Sequence, residues 1–340
     1  MGIKISGLAA AVPDNKVTNH DLAKTLDTSD EWIRGRTGIQ SRYHAHAEQT
    51  TGYLAYQAGK AAIDSMCSPS EEKDIDTLIL ATTTPDRACP ATAPKVAARL
   101  KLDNVSAFDI SAVCSGFVYG LSVAEGLLRS GQSKRLLLIG ADVFSTVLDP
   151  ADRVTYPLFG DAAGAMILEY DSKKNHLIAT STGSDGNGYD LLTIKSGGGE
   201  SKLAKATSSN NSDHFFSMDG KAVFVQAISH KKHAVVDMLE AQQLKATDID
   251  CLVPHQANLR IINTLLELLD LGSDKALISL REFGNTSAAS IPLTLAKGCM
   301  EGNLHGNDKI VVTAFGGGLT WGAALFIWPE QVINANIIVC

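Results

Sequence analysis

The chain is organised around the segment Asp109-Ile-Ser-Ala-Val-Cys-Ser-Gly-Phe-Val-Tyr-Gly120. An extended apolar run enters this segment and apolar residues at helical spacing leave it, which predicts a strand-to-helix turn with Cys114 at the joint. The unpaired N–H groups and the positive dipole end of a helix favour a thiolate at such a position. We therefore expect the pKa of Cys114 to lie below that of a free thiol, as in a nucleophile. A buried, inert cysteine is the alternative interpretation of this residue taken alone.

Length and composition indicate a globular protein with one large core or two medium ones. The chain has 340 residues, of which 45% are hydrophobic, and a formal net charge of −7. The net negative charge argues against general nucleic-acid binding. No apolar run reaches the roughly 18 residues of a membrane span. The first residues lack the apolar core of a signal peptide. Six scattered cysteines without CxxC spacing indicate free thiols in a reducing cytoplasm.

Several short segments in the first half of the sequence have similar counterparts in the second half. We call these counterparts echoes, and they indicate that the second half repeats the first. The segment at 74–79 is echoed at 248–253, and the segment at 61–64 is echoed at 234–237, with nearly the same offset along the chain. A third pair, at 164–168 and 322–326, keeps the same order with a somewhat smaller offset. We interpret these echoes as two similar βαβ-rich halves, residues 1–171 and 172–340, that meet at a central interface.

The repeat predicts which residues of the second half join Cys114. The echo of the strand at 75–82 leads to His255, which is therefore placed at a strand end. The echo of the Cys114 turn, taken with an offset of 172, falls at 283–290 and places Asn285 on a strand-to-helix turn. Taken singly, His255 could instead be a histidine of the core, and Asn285 could instead cap a helix. Because α/β folds build their sites at strand ends, the three residues together favour one shared site.

Four separated motifs resemble the β-ketoacyl-[acyl-carrier-protein] synthase III family. They are Cys114 in SAVCSGF, His255 in PHQAN, Asn285 in GNTSAAS and the run Phe315-Gly-Gly-Gly-Leu-Thr-Trp-Gly322. The resemblance extends over nearly the whole chain and includes residues 31–39 and 159–165. It implies a thiolase-like α/β fold in which the two halves form a layered α-β-α-β-α sandwich.

The resemblance also implies a reaction in two half-steps. An acyl-CoA gives its acyl group to Cys114, and a malonyl thioester, on acyl carrier protein or on CoA, then loses CO₂ and attacks the acyl-enzyme. His255 and Asn285 would donate hydrogen bonds to the malonyl thioester oxygen as enolate charge develops. The backbone N–H groups of Cys114 and Gly317 would form the oxyanion hole for the acyl carbonyl. The family implies no metal and no redox cofactor, with a coenzyme A thioester as the substrate.

Other matched positions concern the binding of coenzyme A. Trp32 and Arg153 resemble a pair that sandwiches the adenine by stacking and cation–π contact, and Arg36 resembles a nucleotide-contacting position. Asn258 resembles a residue that hydrogen-bonds the pantetheine. Alternatively, Trp32 packs in the core and the arginines lie on solvent-exposed faces. The remaining substrate-binding positions implied by the resemblance are Met218, Gly220, Phe224 and Phe315.

Two regions depart from the family pattern. Cys89 stands where relatives often have a phenylalanine that crosses the dimer interface and floors the acyl pocket, so we predict a deeper pocket for chains longer than acetyl. Refilling of that space by neighbouring side chains is the alternative. Glu267 and Leu268 stand where relatives commonly have lysines that face the acidic carrier protein. Arg260 and Lys221 remain as expected carrier contacts, and a less acidic carrier or CoA-bound substrates are the alternatives.

The implied function leaves two alternatives open. One is a specialised condensing enzyme or acyltransferase of secondary metabolism that uses longer acyl-CoA. The other is a catalytically silent subunit that only binds acyl-CoA. A thiolase is disfavoured because the run at 315–322 holds no second cysteine. The resemblance further implies a homodimer located in the cytoplasm, with no nucleic-acid or membrane partner.

Overall fold

The structure is a computed structural model that describes residues 2–66, 74–203, 211–331 and 333–340, so that Cys67 lies outside the described residues. The helices of the described ranges are α1 (Asn19–Leu22), α2 (Asp30–Thr37), α3 (Thr51–Asp64), α4 (Ala93–Arg99), α5 (Gly116–Arg129), α6 (Gly199–Leu203), α7 (Gly220–Ala241), α8 (Leu259–Leu268), α9 (Leu280–Phe283) and α10 (Ser290–Met300). The strands are β1 (Gly2–Val12), β2 (Lys16–Thr18), β3 (Ser41–Tyr43), β4 (Thr77–Ala81), β5 (Ser106–Ile110), β6 (Arg135–Asp142), β7 (Ala162–Asp171), β8 (Leu177–Ser184), β9 (Leu192–Thr193), β10 (Ser217–Met218), β11 (Cys251–Pro254), β12 (Lys309–Gly316), β13 (Thr320–Ile327) and β14 (Asn336–Val339).

The first large sheet has the strand order β14-β1-β7-β6-β4-β5. β4 pairs in parallel with both β5 and β6, whereas β7 runs antiparallel to β1 and β6. All of β6 and most of β7 are buried, as expected for strands that are covered by helices on both faces. The strands predicted at 75–82, 105–110, 135–140 and 162–168 are present, with slightly shifted boundaries.

The second large sheet repeats this order. Its strands run β11-β12-β13-β8, which matches β4-β6-β7-β1 of the first sheet, and Ala276 adds one parallel bridge beside β11. The starts of β11 and β12 follow those of β4 and β6 by one and the same offset, which is also the offset of the echo between 74–79 and 248–253. The start of β13 follows that of β7 by the smaller offset of the echo between 164–168 and 322–326. These correspondences support the division into residues 1–171 and 172–340, which stays a prediction.

Three apolar clusters define five layers. α5 and α10 pack between the two sheets, in a cluster that joins Phe117, Leu138, Leu293 and Val312. α3 and α4 cover the other face of the first sheet, and α7 and α8 cover the other face of the second. Each sheet therefore buries both faces, and the layers follow the expected order α-β-α-β-α. Over the described ranges, no helix combines the length and the apolar character needed to cross a membrane.

The two inner helices begin from equivalent turns. One-turn 3₁₀ segments, Val113–Ser115 and Ser287–Ala289, lead into α5 and α10 respectively. Val113 and Ser287 have positive φ angles of 48° and 50°, which are sparsely populated by non-glycine residues and are frequent at functional sites. Cys114 is therefore equivalent to Ala288. An offset of 172 pairs Cys114 with a residue two positions earlier, so the predicted offset was wrong for this region. Asn285 consequently precedes the second turn.

Candidate active site

Cys114, His255 and Asn285 all line one internal cavity of about 130 Å³. An outer groove of about 520 Å³ adjoins the cavity, and several residues line both spaces. These shared residues are Leu158, Met218, Gly220, Phe224 and Asn258. A buried thiol, an imidazole and a carboxamide, contributed by distant parts of the chain, thus face one cavity beside this groove.

Cys114 is held where three pieces of backbone converge. It lies in the turn before α5, and its Sγ is 3.7 Å from the Oγ of Ser287 in the turn before α10. The glycine run packs against its backbone, because a Cβ on Gly316 would lie only 2.8 Å from the Cys114 amide nitrogen. Glycine is therefore required at 316 for this close approach. The sequence-based placement of Cys114 at a strand-to-helix joint agrees with this geometry.

The expected lowering of the Cys114 pKa was wrong. Burial raises the pKa of this thiol to about 12, since the desolvated thiolate loses its hydration. The hydrogen bond with Ser287 and the charge of Lys231 act in the opposite direction, whereas the carboxylate of Asp142 adds to the increase. The helix-terminus argument considered only local backbone, and α5 itself starts at Gly116, beyond the sulfur-bearing residue. Without substrate, the thiol is therefore the predominant form at neutral pH.

His255 follows β11 directly and is held at both its backbone and its ring. Its backbone N–H donates to the carbonyl oxygen of Thr313 at 2.7 Å, and its Nδ1 lies 2.6 Å from the Oγ of Ser290. Burial, and secondarily the charge of Lys231, hold the pKa of the imidazole well below its usual value, so the ring is neutral. When the Ser290 hydroxyl donates to Nδ1, the ring proton resides on Nε2, which leaves a hydrogen-bond donor for a ligand.

Asn285 is fixed by its backbone and by one side-chain oxygen. Its N–H donates to the carbonyl of Leu158 at 2.8 Å, and its carbonyl accepts from the N–H of Gly160 at 3.0 Å. Its Oδ1 accepts the N–H of Ser287 at 3.0 Å, an assignment that requires oxygen at this position because the partner is a donor. Within the described chain, Nδ2 makes no hydrogen bond to protein. The carboxamide can therefore donate to a ligand in the cavity.

The outer groove brings together the residues expected to contact coenzyme A. The guanidinium carbons of Arg36 and Arg153 lie 4.7 Å and 4.8 Å from the ring centroid of Trp32, within cation–π range. Arg153 also pairs with Asp27 at 2.6 Å. The groove is further lined by the expected carrier contacts Lys221 and Arg260 and by Asn258. The groove thus has a cationic and aromatic lining at its outer end.

Two expected site residues are not brought to the cavity within one chain. Cys89 is exposed and is not among the residues that line the cavity. Gly317 is also absent from the lining, although a Cβ there would lie 3.5 Å from Cγ2 of Val113, the residue before Cys114. Phe315 does line the cavity, as expected. The apolar wall contains a stacked pair, Phe144 and Phe159, with centroids 4.3 Å apart.

The sequence interpretation missed several polar residues of the site. Ser287 and Ser290 lie inside the GNTSAAS motif, where their side chains were given no role. Lys231 lines the cavity from α7. The sequence feature that could have identified it is its position among the apolar residues on one face of that helix. Asp142 ends β6 and accepts a hydrogen bond from the N–H of Ala288 at 3.2 Å. Among the described residues, no group of three or more His, Cys, Asp or Glu side chains could hold a metal ion.

Comparison with known proteins identifies the family. The profile described as 3-Oxoacyl-[acyl-carrier-protein (ACP)] synthase III matches residues 108–186, and the profile of its C-terminal part matches residues 239–328. A Streptomyces coelicolor protein named Beta-ketoacyl-[acyl-carrier-protein] synthase III 3 is 45% identical over 327 residues, 96% of this chain and 97% of that protein. The chain belongs to the β-ketoacyl-[acyl-carrier-protein] synthase III family.

Solved structures of the synthase III family superimpose closely. The crystal structure of 3-oxoacyl-(acyl carrier protein) synthase III from Pseudomonas aeruginosa PAO1 has a TM-score of 0.89 and 42% identity, covering 98% of this chain and 100% of that one. The priming β-ketosynthase from the R1128 polyketide biosynthetic pathway has a TM-score of 0.89 and 30% identity, covering 97% of each chain. These similarities confirm the expected thiolase-like fold and the assignment as a condensing enzyme of the acyltransferase class.

Proposed function

We propose that the protein catalyses the decarboxylative condensation of an acyl-CoA primer with a malonyl thioester through an acyl-Cys114 intermediate. One observation carries this proposal: Cys114, His255 and Asn285 face the same small cavity, which shares lining residues with the groove of Trp32. The product is a β-ketoacyl thioester, which would initiate the synthesis of a fatty acid or a related chain.

In the first half-reaction, the sulfur of Cys114 attacks the thioester carbonyl of acyl-CoA. The Cys114 proton passes to the departing CoA sulfur, so that free CoA leaves as a thiol and the acyl group remains on the enzyme. Backbone N–H groups of Cys114 and Gly317 would hold the oxyanion. This role is supported by the tight packing of the glycine run against the Cys114 amide.

In the second half-reaction, the malonyl thioester loses CO₂ and its C2 carbon attacks the acyl carbonyl. The C–C bond forms as the C–S bond of acyl-Cys114 breaks, and the released thiolate takes a proton from solvent to regenerate the free thiol. Nε2–H of His255 and Nδ2–H of Asn285 would stabilise the negative charge on the thioester oxygen. Their roles are supported by the neutral imidazole and by the orientation of the carboxamide, whose Oδ1 is already used by Ser287.

The outer groove supports the binding of coenzyme A and of a carrier arm. Trp32, Arg36 and Arg153 would hold the nucleotide, and Asn258, Met218, Gly220 and Phe224 would line the path of the pantetheine. Arg260 and Lys221, both exposed at the groove, would contact an acidic carrier protein.

The oligomeric state, the acyl specificity and the location follow as further parts of the proposal. A homodimer would place Cys89 near the acyl pocket of the partner, and its small side chain would admit chains longer than acetyl. The five described cysteines are free, which is compatible with the expected cytoplasmic location.

A specialised role is the second candidate function. The R1128 relative is named as a priming ketosynthase of a polyketide pathway. Here α8, whose first turn lines the groove, exposes Glu267 and Leu268 near its end, where the family resemblance implies lysines. A surface without those charges favours a carrier other than the housekeeping one.

One screen tests the function and separates the two candidates. Acyl-CoAs of increasing length would be incubated with malonyl-carrier or with malonyl-CoA, and the products would be identified by mass. We expect β-ketoacyl products, with better turnover of medium-chain primers than of acetyl-CoA. A clear preference for acetyl-CoA would refute the deeper pocket. The absence of any condensation product with every primer and extender would refute the function itself.

A further inference from the structure

A lysine occupies the core-facing side of α7. Its neighbours on that face of the helix are Ala227, Ile228, Ala234 and Val235, all of which are buried. At this position Lys231 is only 1% exposed. Lysine is among the residues that are least often fully buried unless they are paired, so its presence on an apolar stripe calls for a physical reason.

Lys231 lines the active-site cavity, and among the described residues its ammonium group has no hydrogen-bonding or ion-pair partner. It lines the same cavity as Cys114, His255 and Asn285. A buried cation without a counterion destabilises the fold, so a structural role in packing does not explain it.

Cys114 requires an agent that favours its anionic form. A histidine that accepts the thiol proton supplies this in many cysteine enzymes. Burial holds the pKa of His255 well below its usual value, which makes it a weak base, and its Nδ1 already contacts Ser290. The other charged group that acts on Cys114 is Asp142, whose carboxylate opposes thiolate formation. Among the described groups that act on the sulfur, Lys231 is the cationic one.

We propose that Lys231 is a positioning residue for the proposed acyl transfer, a fixed positive charge in the cavity that stabilises the thiolate of Cys114 during attack on acyl-CoA. The inference rests on the function proposed above. The attraction between sulfur and ammonium lowers the pKa of the thiol and raises that of the lysine, against the effect of burial on each. Burial lowers the pKa of Lys231 to about 8, so the ammonium predominates at neutral pH and is lost as the pH rises above that value.

The test compares wild-type enzyme with Lys231→Met and Lys231→Gln. The control is Lys232→Met, which removes the same charge from the adjacent position, which is only partly buried. The first readout is the rate at which iodoacetamide alkylates Cys114 between about pH 6 and about pH 10, measured by peptide mass. The second is acyl transfer from acyl-CoA to Cys114, and the third is the melting temperature.

We expect both Lys231 variants to alkylate at least about 10-fold more slowly near neutral pH, because a shift of one pKa unit changes the thiolate fraction tenfold. Their acyl transfer should slow in parallel, and their melting temperature should equal or exceed that of wild type, since an unpaired buried charge is gone. Lys232→Met should match wild type in all three readouts.

Two outcomes would overturn the inference. One is alkylation of both Lys231 variants at the wild-type rate over the whole pH range. The other is loss of folding in both variants, which would mean that the lysine supports the structure. If wild-type enzyme accepts no acyl group from any acyl-CoA, the proposed function fails, whereas the alkylation comparison still measures the effect of Lys231 on the sulfur.

Discussion

The imidazole Nδ1 of His255 lies 2.6 Å from the hydroxyl oxygen of Ser290, the first residue of α10. This contact joins the end of a strand in the second sheet to the start of an inner helix. It orients the ring, and when the hydroxyl donates to Nδ1 the ring proton resides on Nε2. The remaining proposed donor, Asn285, precedes Ser290 in the same GNTSAAS motif.

Ser290→Ala should slow condensation without slowing acyl transfer to Cys114. Loss of the hydroxyl frees Nδ1 to carry the proton, and we expect about a 10-fold to 100-fold decrease, the usual effect of losing a group that orients a functional histidine. The measurement is the rate of β-ketoacyl product formation alongside acylation followed by intact-protein mass. Ser130→Ala, at the exposed end of α5, is the control. An unchanged condensation rate would contradict the assigned tautomer.

Asn285→Ala should trap the enzyme in its acylated form. Removal of one hydrogen-bond donor to a developing oxyanion typically costs about 10²-fold to 10³-fold in rate, and we expect that loss in condensation only. The N–H of Ser287 loses its acceptor, so stability should also fall by about 1 kcal/mol. Acyl-Cys114 should accumulate in the mass spectrum. Asn303→Ala, in an exposed loop, should leave both half-reactions unchanged.

Cys114→Ala should abolish acyl transfer while the fold is kept. No other described cysteine lines the cavity, so we expect a loss of at least about 10³-fold, as for other catalytic nucleophiles. The readout is the acyl mass added after incubation with acyl-CoA, with the melting temperature as the check of folding. Cys299→Ala provides a comparison at a half-buried thiol remote from the site. Acylation of the Cys114→Ala variant at the wild-type rate would exclude this nucleophile.

Trp32→Ala should raise KM for acyl-CoA with little change in kcat. The indole forms the aromatic face on which Arg36 and Arg153 lie, and loss of a stacked base costs about 1–3 kcal/mol, or about a 10-fold to 100-fold increase in KM. Steady-state kinetics at saturating malonyl substrate measure this change. Arg34→Ala, on the same helix but paired with Asp30, is the matched control. An equal rise in KM in both variants would indicate a general disturbance of α2.

Introducing lysines at positions 267 and 268 of α8 should strengthen association with an acidic carrier protein. The double variant Glu267→Lys with Leu268→Lys adds positive charge to the exposed surface of the helix that carries Arg260, and Leu268 is 44% exposed there. We expect tighter binding at low salt that weakens as salt rises, because exposed charges are screened within about 10 Å at 0.1 M. Binding can be followed by surface plasmon resonance. Glu240→Lys, near the end of α7 remote from the groove, should have no effect. Strong, salt-sensitive binding by wild-type enzyme would refute the weakened contact.

Sequence patterns alone predicted much of the fold and singled out the three central residues of the site. The strand at Arg135–Asp142 and the helix after Cys114 are dictated by apolar runs and by spacing, and the echoes at 74–79 and 248–253 reported the repeat. The motifs around Cys114, His255 and Asn285 sufficed to predict that these three residues lie together, and all three line one cavity. These features depend on neighbours in the chain, which a sequence displays directly.

The tertiary structure alone determined the electrostatics of the site. Whether the Cys114 thiol is easily ionised depends on its burial and on Asp142 and Lys231, which lie on a strand and a helix distant in sequence. Desolvation reversed the direction that the helix-terminus argument predicted for its pKa. Lys231 was inconspicuous in the sequence because only packing against the second sheet shows that it faces the cavity and not the solvent. Burial is a property of the assembled layers, so no local pattern could specify it.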